Sequence, residues 1–370
     1  MPQKKTPRDL LDQAVAAVNA SGGNQLKAAE ALSLSRSTLV ARLRAAALEG
    51  ITPQPPQATH GTSTLYGSDG QIKLQWVKAT TGRSPDEWAQ HIKDVFADAQ
   101  PVKKIPAPTG PCTKDLLTVY PIGDHHVGMY AWNEEAGDDY DIKIAARLLV
   151  KAMQHLVSVA PASHTGLVCN LGDFFHVDNL KAQTSRSGNH LDVDTRYAAM
   201  IRAGVMMLRA VIDAALTKHK QVRVICAIGN HDDIGALWLA LALEQFYGEN
   251  PRVEIDTSPA KFYYYRHGKV LLGVTHGDTG KPEKLQSVMA VDRAKDWGET
   301  LHRYWFTGHV HNRKVLEFPG VMWETFRTLP PNDAWAAAAG YRAGRDMTCI
   351  TFHSEHGELS RYRCDITMLS

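Results

Sequence analysis

Apolar residues recur in two different periods along this chain, and the period changes with position. Near the start, Leu11, Ala14, Val15 and Val18 repeat at three- and four-residue spacing, which predicts a helix over 7–19. Gly22-Gly23 ends it, and 25–32 reads as a second short helix. Ser33-Leu34 makes a tight turn, and Ser35 offers its hydroxyl as N-cap to a third helix running to about Ala47. Leu39, Val40 and Leu43 would face the other two helices. Beyond residue 115 the pattern becomes short apolar runs over 116–122, 165–171, 222–228, 270–274 and 304–307. Such runs, mostly closed by Gly, predict buried strands. Two more runs, 347–352 and 359–364, read as closing strands, and 237–243 as a buried helix segment.

Between these parts the chain turns polar and Pro-rich. PQPPQ within 51–63 predicts an extended spacer, and 101–111 is a second Pro-rich stretch. Residues 71–78 alternate as a strand does, and 84–99 suit a helix with Trp88, Ile92, Val95 and Phe96 on its buried side. Trp76 and Trp88 read as packing residues.

Each of the five apolar runs is followed by side chains that bind metals or handle phosphate. In order the segments are GDHHVG (123–128), GDFFHVDN (172–179), GNHDD (229–233), THGD (275–278) and GHVHN (308–312). Ligands in layered α/β folds sit beyond the carboxyl ends of strands, so five strand ends can converge on one small volume. The candidate ligands are Asp124, His126, Asp173, Asn230, His276, His309 and His311. Imidazole suits Zn, Fe and Ni, while carboxylate and amide oxygens suit Mn. No cysteine falls in the five segments, which argues against a Cys-rich structural zinc site. Two divalent ions would outweigh Asp124, Asp173 and a hydroxide, leaving a net positive site suited to an anionic phosphate. His125, His176 and Asp278 neighbour these residues; orienting the ligands and packing the loops are equal readings for them.

At these residues the chain resembles the calcineurin-like metallophosphoesterases. Their pattern is D-x-H, GD, GNH, H and GHxH. Here it stands as Asp124-His125-His126, Gly172-Asp173, Gly229-Asn230-His231, His276 and Gly308-His309-Val310-His311. The resemblance covers about residues 115 to 365. It implies a four-layer αββα sandwich, two sheets flanked by helices. One metal would sit on Asp124, His126, Asp173 and His311, and the other on Asp173, Asn230, His276 and His309, with Asp173 shared. It also implies that a hydroxide bridging the two ions attacks phosphorus, that His231 protonates the leaving oxygen, and that Asp232 orients His231. Histidine is the side chain best poised for proton transfer near neutral pH. The expected cofactors are two divalent ions, Mn²⁺ first and Fe, Zn or Ni as alternatives.

The second segment narrows the substrate. It lacks the GDxxDRG of protein phosphatases and is similar to the GDxFHxN of SbcD-type double-strand-break repair nucleases, with Asn179 one residue late. The stretch after His311 is too short for the DNA-capping domain and docking helices of those nucleases, which argues against an SbcC-type ATPase partner. As a whole the chain resembles metallophosphoesterases encoded by bacteriophages. The polar stretch 176–197 predicts a long loop, in which Lys181, Arg186 and Arg196 are candidates for phosphate contact. Arg327, Asn332, Arg342 and Arg345 form a second candidate patch at the rim, where Trp335 or Tyr341 could stack on a base or simply pack.

The N-terminal helices resemble a Fis-type helix-turn-helix, in which the third helix enters the major groove. Arg36, Ser37, Thr38 and Arg42 would then reach bases or phosphates of DNA. Residues 1–48 hold seven Lys/Arg against three Asp/Glu, which favours a phosphate backbone. Isolated units of this kind bind weakly, which favours a homodimer. Lys4, Lys5 and Arg8 read as a solvated tail. Three parts result: 1–50 helix-turn-helix, 51–114 linker with a small strand and helix, and 115–370 catalytic. The expected activity is a DNA nuclease. The alternatives are a phosphodiesterase for cyclic or dinucleotides, a phosphomonoesterase, or a DNA-binding regulator without catalysis. A net charge of +2 excludes a genome-coating role. Scattered cysteines and the lack of any long apolar span or signal peptide predict a cytoplasmic protein with no membrane partner.

Overall fold

Helices α1 (Arg8–Ala20), α2 (Gln25–Ala31) and α3 (Arg36–Leu48) form where the amphipathic spacing places them. The computed structural model describes residues 6–21, 25–48, 59–66, 72–79, 104–184 and 188–369. The chain divides into two units, Met1–Ala97 and Asp98–Ser370. In the first, Ala14, Val18, Ala28, Ala29 and Leu39 make a common core, with Leu11, Val15 and Ala46 as a second cluster. Ser33 turns the chain through the left-handed region (φ 54°), and the Leu34 N–H donates to Ala29 O at 2.8 Å. Ser35 Oγ accepts the Thr38 N–H at 3.1 Å, which caps α3. Arg36, Ser37 and Thr38 are exposed, while Val40, Arg42 and Leu43 are half-buried.

Strands β1 (Thr59–Tyr66) and β2 (Ile72–Ala79) pair antiparallel. The expected spacer therefore stops short of residue 59. Gly61 and the Thr/Ser run conceal the strand, because pairing with β2 rather than apolar alternation specifies it. Gly22-Gly23, residues 51–58, the helix expected over 84–99 and the side chains of Trp76 and Trp88 lie outside the described residues.

The second unit holds two sheets. Strands β3 (Thr113–Ile122), β4 (Ser163–Asn170), β5 (Gln221–Cys226) and β6 (Val253–Asp256) run parallel. Strands β12 (Asp346–His353) and β13 (Gly357–Asp365) extend them antiparallel, in the order β13-β12-β3-β4-β5-β6. The other sheet runs β10 (Lys314–Phe318), β11 (Val321–Thr325), β9 (His302–Thr307), β8 (Val270–Val274), β7 (Tyr263–His267). Within it, β8, β9 and β11 are mutually parallel.

Period-2 alternation sorts the side chains into layers. Leu117, Val119, Leu167 and Cys169 of one sheet meet Val270, Leu272, Val274 and Phe306 of the other. On the far face of the five-stranded sheet, Leu271, Trp305 and Trp323 pack on Leu285 and Met289 of α8 (Pro282–Asp292), beside α9 (Ala294–Glu299). The far face of the six-stranded sheet carries α5 (Ile142–Val159), which follows the single turn α4 (Asn133–Ala136), then α6 (Tyr197–Leu216) and α7 (Gly235–Tyr247). Asp141 caps α5 by accepting from the N–H groups of Lys143 and Ile144. The segment 237–243 is helical but only half-buried. Leu239 and Leu243 face the sheet, whereas Trp238 (48% exposed) and Leu241 (45%) face outward. At the sandwich edge, buried Glu324 of β11 receives both arms of Arg361 from β13, at 2.5 and 2.8 Å. Among the described residues no helix is long and apolar enough to cross a membrane.

A buried polar chain lies on the helix side of the six-stranded sheet. His219 Nδ1 faces the Ser163 carbonyl at 2.9 Å, so Nδ1 carries the proton and Nε2 accepts from Tyr120 Oη at 2.8 Å. Burial pushes the imidazole down from 6.5 to about 4. The unfolded chain therefore binds this proton at a higher pH than the folded one, and stability falls as pH drops from about 6.5 to about 4. In urea titrations across that window, His219→Gln should remove up to about 3 kcal/mol of the acid-induced loss. An unchanged pH slope would refute the assignment.

Candidate metal centre

The five motif loops leave the carboxyl ends of β3, β4, β5, β8 and β9, and they brace one another. The His126 N–H donates to Asp173 O at 3.0 Å, and the Gly308 N–H to His276 O at 3.0 Å. The Asp124 carboxylate accepts the His309 N–H at 3.0 Å. Four candidate ligands occupy the left-handed backbone region: His126 (φ 46°), Asp173 (50°), His309 (69°) and His311 (52°). Each such residue costs about 1–3 kcal/mol unless its surroundings hold it. Asp and His tolerate this region better than most residues, so one choice serves both backbone and ligand chemistry.

Among the described residues, two groups of donors contain a carboxylate. Asp124, His126 and His311 form one, and Asp173, His276 and His309 the other; His126, His176 and His231 make a third, all-imidazole group. Within the first, His311 Nε2 lies 3.3 Å from both His126 Nε2 and Asp124 Oδ1. Within the second, His276 Nε2 lies 3.0 Å from Asp173 Oδ2, and Asn230 Oδ1 stands 3.1 Å from the same nitrogen. Two donors each 2.0–2.1 Å from a tetrahedral ion stand about 3.3 Å apart, so these separations fit shared ions. All seven candidate ligands are therefore brought together.

Hydrogen bonding fixes the tautomer of His276. His276 Nδ1 faces Leu171 O at 2.9 Å and must donate there, so Nε2 is turned to the oxygens of Asp173 and Asn230. Burial disfavours charge on His276, yet Asp173 and then Asp124 outweigh it and push the imidazole up to about 10. Burial raises Asp173, but His276 outweighs it and holds that carboxyl well below its usual range. A divalent ion would meet the same demand for positive charge. In the first group, burial and then the neighbouring imidazoles hold His126 well below 6.5 and so keep it neutral.

His176, an open case from sequence, joins the floor of the site. It is buried, lies 3.3 Å from His126 by their Nδ1 atoms and stacks on His231. Its carbonyl faces His231 Nδ1 at 2.8 Å, which leaves His231 Nε2 directed elsewhere. His125 is buried with Nε2 on Ala145 O, a packing role. Asp278 acts electrostatically on His309.

The orienting contact expected from Asp232 is corrected. Its carboxylate faces away from the His231 ring and accepts the N–H groups of Gly229, Asp173, Phe174 and Phe175, at 2.8–3.2 Å. The tight turn after β5 sends the two neighbouring side chains in different directions.

A cavity of about 1090 Å³ opens over the centre. Its walls come from the loop after β4 (Thr184, Asn189, His190, Asp192) and from the rim segment (Asn332, Tyr341, Arg342). The polar loop is pinned at both ends. Asp178 accepts the Ile234 and Gly235 N–H groups at 2.6 and 2.9 Å, and Asp194 accepts the Ile142 N–H at 2.8 Å. Sequence reasoning missed both anchors; an acid far from the helix start it caps leaves no local signal. Lys181 and Arg196 are exposed and do not line the cavity, and Asn179 bonds within its own loop. Arg327 and Arg345 pair with Asp346 and Asp138. Arg186 and the Trp335 side chain lie outside the described residues.

No protein-family model matches the sequence, and no curated protein does. Among solved structures, the chain is similar to a conserved uncharacterized protein of Streptococcus pneumoniae, a predicted phosphoesterase. Identity is 9% and TM-score 0.29, over 68% of this chain and 99% of that one. It is similar to Vps29 of Entamoeba histolytica complexed with zinc, at 12% identity and TM-score 0.29 over 67% and 98%. It is also similar to an archaeal phosphodiesterase, at 12% identity and TM-score 0.32 over 67% and 99%. Likenesses this distant leave the chemistry to the residues of the site itself.

Close approach explains two of the motif glycines. A Cβ on Gly229 would stand 2.1 Å from Asp173 Oδ1, and one on Gly308 2.4 Å from Asp124 Oδ2. Gly229→Ala should displace Asp173 and weaken Mn²⁺ binding roughly tenfold or more by calorimetry, with the far-ultraviolet spectrum retained. Unchanged Mn²⁺ affinity would show that Asp173 is not a ligand.

Proposed function

We propose that the Asp98–Ser370 unit is a two-metal-dependent phosphodiesterase of the calcineurin-like metallophosphoesterase type, acting on DNA. The observation that carries this reading is the pair of adjacent Asp/His donor groups, with His231 at the same cavity floor. Asp124, His126 and His311 would hold one divalent ion, and His276, His309 and Asn230 the other, with Asp173 between them. Bound there, the two ions would supply Lewis acidity and a water-derived nucleophile at neutral pH. His231 is fixed through Nδ1 by the His176 carbonyl, so Nε2 is the nitrogen that would deliver a proton to the leaving oxygen. The Leu171 carbonyl, facing His276 Nδ1 at 2.9 Å, keeps Nε2 of that imidazole turned toward the second ion's place. DNA as substrate rests on the three-helix N-terminal unit, whose Arg36, Ser37 and Thr38 are exposed at the start of α3. A small nucleotide is the second reading, favoured by a walled cavity of about 1090 Å³, the size of a small-ligand site.

With Mn²⁺ the full chain should cleave bis(p-nitrophenyl) phosphate. Asp173→Ala should abolish cleavage, and His231→Ala should slow it about 10²–10⁴-fold. Activity that survives both changes would overturn the centre. Replacing Arg36 and Arg42 together by Gln should weaken duplex binding about tenfold and flatten its salt dependence. Equal affinity would remove the case for a DNA tether. A panel of single- and double-stranded DNA, RNA, cyclic nucleotides and phosphomonoesters then separates nuclease from small-molecule activity.

A further inference from the structure

We propose that His126, His176 and His231 form a third metal site, selective for zinc over manganese, and that an ion bound there disables the proton donor. The binding stands on the three imidazoles themselves, whereas the inhibition rests on the two-metal phosphodiesterase reading. One ring nitrogen of each histidine lies within 4.8 Å of the other two. His126 and His176 already face each other through Nδ1 at 3.3 Å, the separation of two nitrogens on one tetrahedral ion. All three side chains line the large cavity, so an ion can enter from solvent and keep water as its fourth ligand.

The partners of the ring nitrogens single out His176. Nearby imidazoles are held by oxygen: His276 by Leu171 O, His125 by Ala145 O and His231 by the His176 carbonyl. Among the described residues the His176 ring has no such oxygen. Its Nδ1 meets the nitrogen of His126, and its Nε2 is buried without a hydrogen-bond partner. Two facing imidazole nitrogens can share a proton or a metal ion. His126 turns its other nitrogen, Nε2, to His311 at 3.3 Å, so the first donor group and the third use opposite edges of one ring. His231 spends Nδ1 on the carbonyl and has Nε2 left to offer.

Ligand chemistry sets the selectivity. The two groups that contain a carboxylate offer oxygen, which suits manganese, while the third offers nitrogen alone, which suits zinc. Zinc entering between His126 and His176 expels the proton held there to solvent, and His126 then bridges two ions. Ions that share a ring repel each other, so this site fills after the centre. With Nε2 on the ion, His231 can no longer carry a proton to the leaving oxygen.

Equilibrium dialysis of the full chain against Zn²⁺ or Mn²⁺ counts the ions bound. His176→Phe keeps a ring but offers no nitrogen, and it should lose one zinc ion per chain and no manganese. His231→Ala, which leaves the His176 ring in place, should lose the same zinc ion. An unchanged zinc count in both variants would overturn the site, as would loss of manganese along with zinc in both. Asp173→Ala reports separately on the two-metal centre. If it keeps its ions while His176→Phe loses one zinc, the phosphodiesterase reading fails and the third site stands. Inhibition is read on bis(p-nitrophenyl) phosphate with Mn²⁺ present, each protein being compared with itself at low zinc. Rising zinc should slow the wild type by about tenfold or more, and His176→Phe by less than about twofold. Equal slowing would mean that zinc acts by replacing manganese in the centre, which overturns the inhibitory role.

Discussion

The carboxylate of Asp232 is buried beneath the site and accepts four backbone N–H groups, one from the turn after β5 and three from the turn after β4. A charged acceptor makes stronger hydrogen bonds than a neutral one, so this side chain clamps the two turns to each other. Burial and then the charge of Asp173 push its carboxyl up, and the backbone N–H groups that it accepts work against that shift. The clamp sets the left-handed turn at Asp173, and Asp173 Oδ1 in turn accepts the His231 N–H at 2.7 Å. Asp173, the His231 backbone and the strained turn are thus tied to one buried acid.

The parts legible in the sequence are those in which the signal is local. A buried parallel strand is a short apolar run, and the donors that follow it lie in the next few residues; β3, β4, β5, β8 and β9 were readable for this reason. Strands β7 and β10 were not, because Tyr263–His267 and Lys314–Phe318 sit toward sheet edges and mix aromatic, charged and apolar residues. Adjacency to His231 hides the partners of Asp232, since sequence neighbours in a tight turn point to different surroundings. His176 carries no local signal because its partners, His126 and His231, are about fifty residues away on either side. Half-exposure of α7 was equally hidden: an all-apolar run does not say how much of it a sheet will cover.

The loop after β4 has a mixed character. Its sequence is that of a solvated segment, yet Asp178 and Asp194 attach its two ends to the starts of different helices, α7 and α5. The stretch between them can therefore form a wall of the cavity without a core of its own. Specificity can be altered along this wall while the ligands stay in place, because the anchoring bonds lie outside the donor groups.

Neither of the two donor groups that contain a carboxylate belongs to one sheet. Asp124, His126, Asp173 and Asn230 follow strands of the six-stranded sheet, and His276, His309 and His311 follow strands of the five-stranded sheet. The centre is thus a vernier across the sandwich. A slide of one sheet over the other by an ångström, too small to expose the core or alter a circular dichroism spectrum, would pull both groups out of register at once. Buried Glu324, held by Arg361 from the opposite sheet, resists that slide far from the ligands. Ion affinity in this fold is consequently a finer gauge of sheet alignment than global stability, and mild heating should release metal before the chain unfolds.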